Sequence, residues 1–157
     1  MVKFITPARY DHALAEKGIS VTVEENGVVY GTFGIKCWDP YSPFFKIAVE
    51  RYQRVHKLAI KVMKEDHVKL IHQFVHMAMF DWEGIDGPNG PVPFTKDDAF
   101  EFLTTTEVGL YVFSELLAQA RDIDNFKAIP EEDLVEAPAE DPDAVDPMAS
   151  ADEIAKN

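Results

Sequence analysis

The sequence predicts an α+β fold: an N-terminal β-hairpin, a mainly α-helical domain of about four helices, and a disordered acidic C-terminal tail. Three observations predict it. Ile19, Val21 and Val23 alternate with polar residues ahead of an Asn-Gly turn. Apolar residues recur at helical steps of three and four from Phe45 onward. The last 28 residues hold ten acids, four prolines, six alanines and no aromatic.

Residues 1–18 show no clean period, and Pro7 interrupts them early. Alternation through residues 19–23 is the period of a half-buried strand. Asn26-Gly27 is a favoured two-residue hairpin turn, because both residues tolerate positive φ. Val29, Phe33, Ile35 and Cys37 then share one face of a second strand, with Gly31 between them. Asp39-Pro40-Tyr41-Ser42-Pro43 closes the hairpin and opens a helix, with Ser42 as N-cap and Pro43 at the first helical position. Phe45, Ala48, Tyr52, Val55, Ala59 and Val62 form the apolar stripe of one long helix. Arg54, Lys57, Lys61 and Lys64 point away from that stripe, and residues 46–69 carry seven bases against three acids.

A break near Glu65-Asp66 leads to a second helix, with Val68, Ile71, Val75, Met79 and Trp82 on its apolar face. Trp82 anchors the end of that helix in the core. The helix gives way to residues 84–91, a dense cluster of glycine, proline, aspartate and asparagine. Thr95 with Asp98 caps a short third helix, beside which Phe94 packs. Thr104 with Glu107 has the capping-box spacing for the last helix. Phe113, Leu116, Leu117, Ala120 and Ile123 line that helix, which ends near Phe126. The chain divides into a folded domain over 1–129 and a tail over 130–157.

The 157 residues suffice for one domain with a real core. Of 28 acids and 15 bases, ten acids and one base lie in residues 130–157. The preceding residues therefore keep 18 acids and 14 bases, a net of −4 against −13 for the whole. A tail so acidic and so poor in bulky apolar groups does not offset its ordering entropy by burial. The overall charge argues against nucleic acid, since phosphate contacts need clustered cations. One cysteine, Cys37, excludes an internal disulfide. No apolar run approaches membrane-spanning length, and the start lacks a signal-peptide pattern. A soluble, cytosolic protein is expected.

Enzyme signals are weak. His72 and His76 sit four apart on a helix, a spacing that binds zinc in metalloproteases. The position of the catalytic glutamate is Gln73, and no third ligand appears downstream, so the pair reads as ordinary half-buried polar residues flanking a core stripe. Asp81, Glu83 and Asp86 lack the alternating oxygen ligands of a calcium loop. Cys37 lies on the apolar face of its strand and reads as a packed, inert thiol. No catalytic, cofactor or metal residue is expected. The cationic helix face reads either as a solvated surface or as an electrostatic dock, for an acidic partner or for the chain's own tail.

The order of elements also resembles a known family. A hairpin runs into Asp39-Pro40-Tyr41-Ser42, then a helix with Phe45 and an Arg51/Arg54 pair. Trp82-Glu83-Gly84-Ile85, a Gly/Pro turn and Pro93-Phe94-Thr95 follow, then Asn125-Phe126 and the acidic tail. Over roughly residues 15–127 this resembles the tail assembly chaperones of long-tailed bacteriophages. The resemblance implies a non-enzymatic role in the host cell cytoplasm: binding the helical, aggregation-prone tape measure protein, helping recruit tail tube protein, and leaving before the virion is complete. It also implies the shorter of two frameshift products, and self-association is compatible with it. Candidate partner-binding residues are Arg54, Lys57, Lys61, Lys64, Trp82 and Phe94. The alternative is a small structural head or tail-completion protein of the virion.

Overall fold

The computed structural model describes residues 3–127; the expected acidic tail lies outside the described residues. A short helix, α1 (His12–Lys17), comes first, capped by the Asp11 carboxylate, which accepts from the backbone N–H groups of Ala13 and Leu14. The lack of period over residues 1–18 concealed it. Six residues are too few to display a repeat, and the Asp11 cap was the available signal.

The expected hairpin is present as β1 (Ile19–Glu25) and β2 (Val28–Ile35). Asn26 and Gly27 turn it with φ values of 53° and 83°, the left-handed conformations that a two-residue turn of this hand requires. Cys37 lies just beyond β2 rather than on it.

A third strand, β3 (Met79–Glu83), pairs antiparallel with β2, which is therefore central in the order β1-β2-β3. This corrects the helical assignment of Met79 and Trp82. Both are buried and three residues apart, a helix-like spacing. A strand reaches the same result through a bulge: Ile35 pairs with Met79 while the adjacent Gly34 pairs with Asp81, leaving Phe80 as the extra residue. The Phe80 ring lies across Gly34, where a Cβ would come within 2.8 Å of it.

Helix α2 (Pro43–Val55) begins as expected, with Ser42 Oγ accepting from the Phe44 N–H and Pro43 in the first turn. It does not run through to Val62. The helix breaks at His56, with φ −108° and ψ 28°, and α3 (Lys57–Val62) follows. No proline or glycine marks this break, so the sequence gives no warning. Helix α4 (Asp66–Ala78) starts at the expected break and buries Ile71, Phe74, Val75 and Ala78. The turn-rich stretch folds into a miniature ribbon of β4 (Asp86–Gly87) and β5 (Gly90–Pro91).

Helix α5 (Lys96–Thr105) carries the expected Thr95 cap, with Oγ1 accepting from the Asp98 N–H at 3.0 Å. The capping box at Thr104 does not form. Thr104 is still helical, and its hydroxyl donates back to the Phe100 carbonyl at 2.7 Å. Helix α6 (Gly109–Arg121) starts without a side-chain cap, and Ile123 to Phe126 form a closing 3₁₀ turn. Among the described residues there are thus six α-helices where about four were expected. The added ones are the six-residue α1 and the piece made by the break at His56.

The core lies between one face of the three-stranded sheet and helices α4, α5 and α6. Phe33, Ile35, Ile71, Phe74, Leu103, Val112 and Leu116 are fully buried there. Trp38 bridges sheet and helices, edge-on to Phe45 at 5.0 Å, with its backbone N–H donating to the Ala120 carbonyl at 2.8 Å. Beside it Asp39 is buried, where Oδ2 accepts from Arg9 Nη1 at 2.6 Å and from the Tyr10 hydroxyl at 2.8 Å. Burial and the Asp39 carboxylate push the Tyr10 hydroxyl up to about 12. These bonds, with the Tyr41 N–H donating to Oδ1, fix the corner from which α2 departs. No described helix is long and apolar enough to cross a membrane.

Candidate functional site: the outward face of α2 and α3 and the histidine cluster beneath it

Phe44, Ile47, Arg51, Val55, Leu58 and Val62 recur at steps of three or four along α2 and α3, and all six are exposed. Their exposure is high for large apolar groups: 70% for Phe44, 79% for Leu58 and 72% for Val62. Val55 and Val62 therefore belong to an outward stripe and not to the inward one expected for them. The inward side is made by Phe45, Ala48 and Tyr52, with His56 following. Two apolar stripes run along the same stretch, offset around the helix. A stripe read only from period three and four cannot tell which of them faces the core.

Arg54 on α2, Lys57 and Lys61 on α3, and Lys64 just beyond α3 are all exposed. The surface thus combines an apolar stripe with a cationic border. Trp82 and Phe94 are not part of it. Trp82 is 6% exposed, its indole N–H donates to the Val92 carbonyl at 2.8 Å, and Phe94 meets it edge-on at 5.5 Å. Both serve the core, where Trp82 also packs against Phe102, so as candidate partner contacts they stand apart from the four cations.

Behind this surface lies a histidine cluster. His72 and His76, one turn apart on α4, meet His56 at the α2–α3 break. Ring centroids are 4.2 Å apart for His56–His76, 4.4 Å for His72–His76 and 5.3 Å for His56–His72. The third histidine is upstream, one turn after Tyr52 on the inward side of α2, and packing of α2 against α4 brings it to the other two. The Tyr52 hydroxyl is hydrogen-bonded to Nδ1 of His72, and Phe100 packs edge-on against the same ring at 5.1 Å.

Burial, then the neighbouring His56, holds His72 below its ordinary value. Burial, then His72, His56 and Lys96, lowers His76 from 6.5 to about 4, against a smaller opposing pull from Asp97. His72 and His76 are therefore neutral at physiological pH, and a neutral imidazole keeps one nitrogen lone pair. Lys96 sits beside them with Nζ donating to the carbonyls of Val75, His76 and Met79 at 3.1, 3.3 and 2.6 Å. It caps the carboxyl end of α4 from α5.

Cys37 is half-buried in a cleft of about 210 Å³ that Tyr10, Trp38, Phe45 and Met77 also line. Burial, then Asp39, pushes its thiol up to about 11, so little thiolate exists at neutral pH.

Against known proteins, no curated protein and no solved structure matches the chain. The sequence model of the family described as YdaY prophage protein does match, over residues 40–137, from just after Asp39 through every helix after the hairpin among the described residues. That match spans well over half of the 157 residues. On this ground the chain belongs to the YdaY prophage protein family.

Proposed function

We propose that this prophage protein is a non-enzymatic tail assembly chaperone of a long-tailed phage. In this role it holds a helical segment of the tape measure protein on the outward face of α2 and α3, and helps bring tail tube subunits to it in the host cytoplasm. The observation that carries the reading is the exposed stripe of Phe44, Ile47, Val55, Leu58 and Val62 beside Arg54, Lys57 and Lys61. An apolar helical stripe with a charged border suits an amphipathic helix, which lays its own apolar stripe along it and sets acidic flanks against the cations. Membership of a prophage family supports the phage setting, and the resemblance to tail assembly chaperones supports the kind of client.

Co-expression with the tape measure and tail tube proteins of the same prophage tests this. The chaperone keeps the tape measure protein soluble and co-purifies with it, and it is absent from finished virions. Tape measure protein that stays insoluble beside it, or virions that retain the chain, would overturn the proposal. Retention in virions would instead favour a structural component.

A further inference from the structure

We propose that His56, His72 and His76 form a binding site for one divalent transition-metal ion of the zinc class, with water completing the coordination. The site stands apart from the docking proposal and does not depend on it.

Three features carry it. Each histidine offers one ring nitrogen, and these three atoms lie within 4.8 Å of one another. They come from two separate segments, the α2–α3 break and one face of α4, so an ion there joins elements that no covalent bond joins. The cluster also gathers more polar groups than it satisfies. Among the described residues the rings of His56 and His76 have no hydrogen-bond partner, and His72 has one, Tyr52 at Nδ1.

The chemistry fits zinc. Imidazole nitrogens suit zinc, copper and nickel, and three histidines with an open fourth position are an established zinc arrangement. With an ion on Nε2 of His72, Nδ1 carries the proton and donates its hydrogen bond to the Tyr52 hydroxyl oxygen. Such outer partners orient ligating histidines. Zinc–nitrogen bonds of about 2.0–2.1 Å place ligand atoms about 3.3 Å apart in a tetrahedron. The cluster must therefore close by about 1.5 Å at its widest. His56 is half-exposed at an interhelical joint, where side-chain rotation supplies that movement. Facing the rings from α5 are Asp97, which favours a cation, and Lys96, whose ammonium is committed to three carbonyls.

The test uses the untagged full chain, stripped with chelator and titrated with Zn²⁺ by calorimetry. One ion binds per chain, and His56→Gln and His76→Gln each weaken binding at least tenfold. His67→Gln, an exposed histidine outside the cluster, leaves it unchanged. In parallel, imidazole resonances of the unmodified protein report the ligands directly. Zn²⁺ shifts those of His56, His72 and His76 and spares His12 and His67. Absence of stoichiometric binding, binding unaffected by the cluster variants, or shifts confined to His12 or His67 would overturn the proposal.

Discussion

His76 stays neutral in the folded chain at pH values where the unfolded chain protonates it, because burial and the adjacent His72, His56 and Lys96 oppose its charge. The sign follows from linkage. Its folded value is lowered, so the folded state binds fewer protons between 6.5 and about 4. Its contribution to stability is complete above 6.5 and is lost as the pH falls from there to about 4. Urea midpoints measured across that range should fall more steeply for the wild type than for His76→Gln; parallel profiles would contradict this. Lys96 gives a second prediction. Its ammonium serves three carbonyls at the end of α4, and hydrogen bonds of charged groups are worth roughly 1.5–3 kcal/mol. Because the group is partly exposed, Lys96→Met should cost about 1–2 kcal/mol by urea unfolding. The caps at Ser42 and Thr95 were legible at this scale, since a hydroxyl before a helical run bonds the first free N–H groups wherever the chain goes next. Lys96 and His56 were not, because their roles depend on distant carbonyls and on the packing of α2 against α4.

At the scale of elements, Gly109 opens α6 under close confinement. A Cβ there would lie 2.7 Å from the Leu103 carbonyl carbon and from the Phe102 oxygen, both backbone atoms of α5 that cannot step aside. Glycine to alanine in a helix ordinarily stabilises by about 1 kcal/mol. Here the sign reverses: Gly109→Ala should destabilise by about 1–3 kcal/mol, the range for overpacking, and thermal unfolding checks it. The hairpin was readable because alternation and an Asn-Gly turn are local. Strand β3 was not. Its bulge at Phe80 gives Met79 and Trp82 a three-residue interval that mimics a helix, and its pairing partners, Thr32 to Ile35, lie 44 to 51 positions earlier in the chain. The first long helix failed as a single element for a related reason: its periodicity continues unbroken through the joint at His56.

Over the whole molecule, the sequence made the α+β class and the cationic helix face plain, while the direction of the apolar stripe needed the fold. Packing of Phe45 and Tyr52 against Trp38 and His72 decides which side of α2 is inward, and Phe44, Ile47, Val55, Leu58 and Val62 are left outside as a consequence. Charge adds a further prediction. Residues 130–157 carry ten acids and one base, against the cations of α2 and α3. Surface pairs are individually worth about 0–1 kcal/mol and are screened by salt. If the tail competes for this face, deleting residues 130–157 strengthens binding of an acidic client helix and steepens its salt dependence; unchanged affinity and salt dependence would remove the competition.

The docking face itself is tested most directly by Leu58→Asp with Val62→Asp. Both side chains are more than 70% exposed, so stability should move by no more than about 0.5 kcal/mol each. Soluble tape measure protein recovered on co-expression is the measurement. The double variant should fold normally and recover little or none, whereas recovery equal to wild type would rule out this face as the docking surface.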